Sequence, residues 1–159
     1  MPYWLMKSEP DVFSIDDLKR KKRETWDGVR NYQARNYLRA MAVGDETLFY
    51  HSSCAVPAVV GIARISRAAF PDPTQFNPQS EYHDPGSKPE DPRWSAVEVE
   101  FLRKFKAPLT LERLKAMPEL TGLPLVQRGT RLSVMPVDEL QWRAIVDACS
   151  TGSAQTSRP

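Results

Sequence analysis

Two cysteines, two histidines and seven glycines in 159 residues leave little room for several common chemistries. Cys54 and Cys149 cannot build the disulfide framework of a small secreted domain. His51 and Cys54 have an H-x-x-C spacing that supplies two zinc ligands, but His83 and Cys149 stand alone, so no metal is expected. The glycines are scattered from Gly28 to Gly152 and form neither a phosphate-cradling loop nor a dinucleotide fingerprint, so no cofactor is expected either. No stretch approaches the ~20 apolar residues of a membrane span. The opening MPYWLMKSEP has no basic leader, apolar run or small-residue cleavage site. These absences predict no membrane partner and a cytoplasmic location, or a nuclear one in a eukaryote. Paired carboxylates are missing as well, since the adjacent acids Asp16-Asp17 and Glu90-Asp91 diverge.

What is present is a chain of near-neutral net charge, +2, with an uneven distribution. Residues 19–39 carry eight Lys/Arg against two acids and residues 103–131 seven against two, whereas 71–100 hold seven acids, two bases and six prolines. Two basic regions that converge on one face would suit a phosphate backbone; taken singly, each is also what a solvated helix looks like. A chain of this length buries roughly 70 % of its unfolded surface, enough for one self-sufficient core.

Periodicity predicts alternating elements. Tyr3–Met6 reads as a buried strand that the Ser-Glu-Pro at 8–10 ends. Ser14, with Asp17 three residues on, opens a short helix that the basic run 19–23 closes. A strand is expected over Glu24–Trp26 and a helix over about 30–42, with Ala34, Tyr37, Leu38 and Met41 on one face. Thr47–Tyr50, Val59–Ile65 and Ala96–Phe105 read as strands, the last alternating Val97, Val99 and Phe101 with Glu98 and Glu100. Thr110 caps a helix through Met117, a strand is expected over Arg131–Val134, and Pro136 opens a final helix with Leu140, Ile145 and Ala148 inward. Residues 1–149 are expected to form a single domain without repeats, and 150–159 a disordered tail. The long Pro/Asp-rich segment 70–95 is functional rather than disordered on this reading, because Phe76, Tyr82 and Trp94 give it something to pack.

Four tryptophans remain to be placed. Trp4 and Trp142 lie in apolar patterns and read as core, whereas Trp26 and Trp94 have polar neighbours at strand ends. An indole so placed is either the flat wall of a base-stacking pocket or the plug of a barrel end.

The ordered set YWLMKSEP (3–10), TWDGVRNYQARNYLR (25–39), VGD and FYHS (43–45 and 49–52), HDPGSKPEDPRW (83–94) and GTRLSVMPV (129–137) closely resembles the EVE domain family, over nearly all of 3–146. The resemblance implies an α+β, PUA-like fold, a small mixed β-barrel flanked by helices, related more distantly to YTH domains. It also implies a non-enzymatic function, the binding of DNA or RNA with a pocket suited to a modified base. In the looser likeness to YTH readers, Lys7-Ser8 corresponds to a strand-ending pair, Trp26 and Trp94 to two walls of an aromatic cage, and Tyr82 to a weaker third. Asn31, Ser8 and Ser52 can donate and accept at a base edge, Arg35 and Arg131 suit phosphate, and His51 and Ser133 complete the implied lining. Asp27, after the tryptophan, departs from the YTH pattern, so the preferred base is not inherited from it. A monomer is expected. Two alternatives stay open: an enzyme using His51 and Cys54, and a protein-interaction module using the acidic loop 71–95.

Overall fold

The computed structural model describes the backbone of residues 2–156 and the side chains through Cys149. Six strands, β1 (Tyr3–Ser8), β2 (Arg23–Trp26), β3 (Glu46–His51), β4 (Ala58–Pro71), β5 (Ser95–Thr110) and β6 (Val134–Val137), alternate with helices α1 (Ile15–Lys21), α2 (Tyr32–Ala40), α3 (Leu111–Lys115) and α4 (Glu139–Thr156). The strands form one sheet in the order β2-β5-β4-β3-β1-β6. β1 runs parallel to β3, and every other pairing is antiparallel. The fold is α+β as expected, but the hydrogen-bonded ring is open: β2 and β6 are edges among the described residues.

The sheet is nevertheless strongly curled. In a flat sheet, three strand steps of ~4.8 Å would hold β2 about 14 Å from β3. Instead, the Trp26 ring on β2 meets Phe49 on β3 edge to face, with centroids 5.5 Å apart. The long β4–β5 pair supplies the bend, because its register shifts at four places between Val59 and Phe70, and each irregularity adds local twist. Gly61 on β4 sits where the β5 backbone and the Ile15 side chain of α1 crowd in. A Cβ there would lie 2.4 Å from the Arg103 carbonyl oxygen and 2.9 Å from Ile15.

Local chemistry accounts for the helices. Ser14 caps α1 and makes the expected reciprocal box with Asp17, and Thr110 caps α3 through the Arg113 N–H. α2 buries Ala34 and Leu38 and is capped by Asn31. The C-terminal part of the chain departs from expectation. The last strand is Val134–Val137 rather than Arg131–Val134 and contains Pro136, which is tolerated because β6 is an edge strand. The final helix therefore starts at Glu139, with Asp138 accepting from the Gln141 N–H at 2.7 Å and Gln141 accepting from the Asp138 N–H at 3.0 Å. The later start leaves Leu140 in the first turn. Leu140, expected inside, is 77 % exposed, while Trp142, Ile145 and Cys149 are buried. Tyr3 stacks on Trp142 at 4.2 Å and docks α4 on β1. The tail expected from Ser150 coincides with helix backbone assigned through Thr156, and residues 157–159 lie outside the described residues.

Candidate functional site

The parallel pairing of β1 and β3 brings their C-terminal ends together: Ser8 stands opposite His51, and the Ser52 N–H donates to the Ser8 carbonyl at 3.0 Å. Because β6 runs antiparallel to β1, the residues entering it arrive at the same place, and the Lys7 N–H donates to the Ser133 carbonyl at 2.9 Å. The curl of the sheet carries the end of β2 to this corner. A cavity of about 550 Å³ opens there, lined by Lys7 and Ser8, Val12 and Phe13, Glu24 through Arg30, Ser52, Glu81 and Tyr82, Arg131 and Ser133, with Glu9 and Ser53 at its margin. That is a size suited to a small organic group.

Trp26 serves both core and cavity. It is 9 % exposed, with one edge packed on Phe49 and the remainder contributing to the cavity wall. No fully buried side-chain nitrogen or oxygen lacks a partner among the described residues, so polar groups without one are open to the cavity or to solvent. Lys7 and Asp27 are the clearest cases, each free of ion pairs and of side-chain hydrogen bonds to other described residues. Burial lowers the Lys7 pKa. The Asp27 pKa is raised, first by burial and then by the charges of Asp72 and Glu24, with Arg30 opposing.

Beside the cavity lies a fully satisfied polar clasp. The Asp72 carboxylate is buried and accepts from the Gly28 N–H at 2.8 Å, Arg30 Nη1 at 3.0 Å, and the Thr74 N–H and hydroxyl at 2.8 and 2.6 Å. Arg30 also donates to the Tyr82 carbonyl at 2.7 and 3.1 Å. Tyr82 is thereby held over Gly28, whose φ of 80° favours glycine and where a Cβ would lie 2.8 Å from the tyrosine ring. Sequence reasoning passed over Arg30, Asp72 and Asp27. The motif TWDGVRN contains the first and third, but nothing local marks Asp72 for the clasp, since Gly28 and Arg30 lie more than 40 residues away from it.

Of the residues expected at a binding site, Lys7, Ser8, Trp26, Ser52, Tyr82, Arg131 and Ser133 line the cavity; Asn31, Arg35, His51 and Trp94 do not. Asn31 spends its side-chain oxygen capping α2, accepting from the Ala34 N–H at 2.9 Å. Arg35 donates to the Arg93 carbonyl at 3.1 Å and lies 4.7 Å over the Tyr32 ring. His51 accepts from the Ile15 N–H through Nε2 at 3.1 Å, which fixes the Nδ1–H tautomer, and burial lowers its pKa. Trp94 is 7 % exposed, stacked on Tyr32 at 4.8 Å, with its indole N–H donated to Asp84 at 2.8 Å. It plugs the clasp rather than walling the cavity. That indole bond is also the main reason the Asp84 pKa is lowered.

The alternatives meet geometry too. The His51 ring nitrogen facing the backbone is occupied by the helix N–H. Among the described residues no three His, Cys, Asp or Glu side chains converge as metal ligands, and no helix is long and apolar enough to cross a membrane. In the acidic loop, Asp72 and Asp84 are turned inward onto Arg30, Trp94 and Arg93.

An α+β domain with a curled open sheet and a charged, aromatic-walled cavity at the convergence of β1, β3 and β6 is the class that fold and site define. The chain belongs to the EVE domain family, which it matches over residues 2–148. It is 46 % identical to mouse thymocyte nuclear protein 1 over 162 residues, spanning 91 % of this chain and 72 % of that one. A Pseudomonas syringae protein of known crystal structure is 56 % identical, with a TM-score of 0.91 over 92 % of this chain and 99 % of its own. Human THYN1, solved in complex with 5-methylcytosine-containing DNA, is 41 % identical, with a TM-score of 0.86 over 94 % of this chain and 98 % of that one. A Zygosaccharomyces rouxii YTH domain, 11 % identical with a TM-score of 0.54 over 93 % of this chain and 86 % of that one, shares the fold.

Proposed function

We propose that this protein binds nucleic acid without catalysis, as a monomer in the cytoplasm, and that the cavity seats one extruded, modified base against Trp26. The observation that carries the reading is that Trp26 lines one cavity together with Lys7, Arg131 and Asp27, charged groups of both signs without ion pairs. Stacking on an aromatic wall contributes about 1–3 kcal/mol per base, which offsets the few kcal/mol that extruding a base costs. Lys7 and Arg131 have no acidic partner and suit the backbone that must run past the opening. The human relative's complex with 5-methylcytosine-containing DNA supports a methylated cytosine in DNA as the ligand.

The test is fluorescence anisotropy with short oligonucleotides that carry cytosine or 5-methylcytosine at one position, at several salt concentrations. Binding should be tighter for the methylated base and weaken as salt rises. Arg131→Ala should weaken both oligonucleotides alike, since a phosphate contact carries no base information. Salt-independent binding, or none, overturns the proposal.

A further inference from the structure

A pocket that seats 5-methylcytosine faces a competitor of nearly identical shape. Thymine carries the same C5 methyl on the same ring, so neither stacking on Trp26 nor apolar contact with Phe13 separates the two. The bases differ in their polar edge: cytosine presents an amino donor followed by two acceptors, and thymine a carbonyl acceptor, an N–H donor and another acceptor. Thymine is therefore rejected by an acceptor-only group aimed at position 4 of the base, where cytosine donates and thymine accepts.

Building on the base-pocket reading, we propose that Asp27 is the specificity-determining residue of this site, accepting from the exocyclic amino group of the bound base and so excluding 4-keto pyrimidines. Asp27 follows the stacking Trp26 directly and lines the same cavity. Its carboxylate has no ion pair and no side-chain hydrogen bond to another described residue, and of the acids lining the cavity it alone adjoins Trp26 in the chain, Glu9 and Glu81 entering from other segments. Asp72 is consumed by the clasp, and Glu24 is paired with Lys21 at 3.2 Å. Asp27 is exposed at the cavity, and partial burial, followed by the charges of Asp72 and Glu24, raises its pKa, so the carboxylate stands as an acceptor that a ligand N–H can reach and that no protein donor occupies.

The experiment compares the full chain and its Asp27→Asn and Glu112→Gln variants, the second an exposed acid on α3 outside the cavity, against four oligonucleotides that differ at one unpaired position: cytosine, 5-methylcytosine, thymine or uracil. The wild type should favour 5-methylcytosine over thymine by about tenfold to a hundredfold, the scale of one good base-edge contact. Asp27→Asn should bring that ratio to near one or invert it, because an amide can turn its NH2 toward the thymine O4. Its salt dependence should be unchanged, and its melting temperature should not fall, since a crowded charge is removed. Glu112→Gln should keep the preference. An unchanged 5-methylcytosine:thymine ratio in Asp27→Asn overturns the assignment while leaving the base pocket standing, as does a wild-type preference for thymine, which would put the carboxylate on its N3–H. Failure of the wild type to bind any of the four overturns the base-pocket reading and this assignment with it.

Discussion

Trp26 and Trp94 look alike in the sequence, each a tryptophan among polar neighbours at a strand end, yet they occupy opposite kinds of place. Around Trp94 every polar group is spent: its indole N–H on Asp84, its backbone on Gln75, and the nearby Arg30, Asp72 and Ser87 on one another or on main chain. Around Trp26, Lys7 and Asp27 are left without partners. Completed hydrogen bonding marks a region that holds the fold together, and incompleteness at the rim of a cavity marks one that awaits a ligand. The two regions touch through Arg30, which braces Tyr82 from the clasp side while Tyr82 walls the cavity.

The sharpest way to break this comparison is to truncate the plug. Trp94→Ala should cost about 3–5 kcal/mol of folding free energy, as deleting a buried aromatic does, read as a lower urea midpoint; a variant that folds normally but loses only nucleic-acid binding would make Trp94 a wall after all. Asp72→Ala comes next, at about 3 kcal/mol, because it leaves the Arg30 guanidinium and the Gly28 N–H without their buried acceptor. Thermal melting checks it, and an unchanged midpoint would dissolve the clasp. On the cavity side the informative change is Trp26→Phe. Alanine there would also empty the packing on Phe49, whereas phenylalanine keeps a π-face with less stacking area. Binding should weaken by about 1 kcal/mol, roughly fivefold, with stability moving less than in Trp94→Ala; titration calorimetry and melting on the same preparation separate the two.

The smallest effect belongs to His51. Burial lowers its pKa, so the folded chain takes up a proton less readily than the unfolded one. The stability this reflects is complete above the ordinary imidazole value of about 6.5 and is lost as pH falls through it toward the lowered folded value. Urea midpoints measured downward from about pH 8 should decline through that window. In His51→Gln, which keeps an acceptor for the Ile15 N–H, the decline attributable to this residue should disappear.

Much of the architecture is legible in the chain because it is written locally. The capping box at Ser14, the Thr110 cap and the period-two run from Val97 to Phe101 are signals a few residues long, and each appears where expected. The misplacement of the last strand comes from Pro136, which reads as a helix opener locally and becomes a strand residue only because β6 is an edge. The site was legible where it sits on strand ends, as for Lys7, Ser8, Ser52 and Trp26. Trp94, Arg35 and Asn31 could not be told from site residues by type and neighbourhood, since what decides their roles is a partner elsewhere: Asp84 and Tyr32, the Arg93 carbonyl, and the turn of α2. Asp72 is the extreme case, an acid in an acidic loop until Gly28 and Arg30 come to meet it.

The clasp also has a kinetic meaning. Its long-range bonds join residues 42 to 52 positions apart, from Arg30 to Asp72, Gly28 to Asp72 and Arg30 to Tyr82, and such contacts form only after a long segment has given up its freedom. One wall of the cavity thus travels in on a long-range closure of its own, separate from the parallel β1–β3 pairing whose partners lie at similar separation, such as Tyr3 and Glu46, and the cavity needs both. Capacity to hold a ligand arrives with completion of the fold, so a bound ligand would act on the loop's opening and closing equilibrium as well as on its own occupancy.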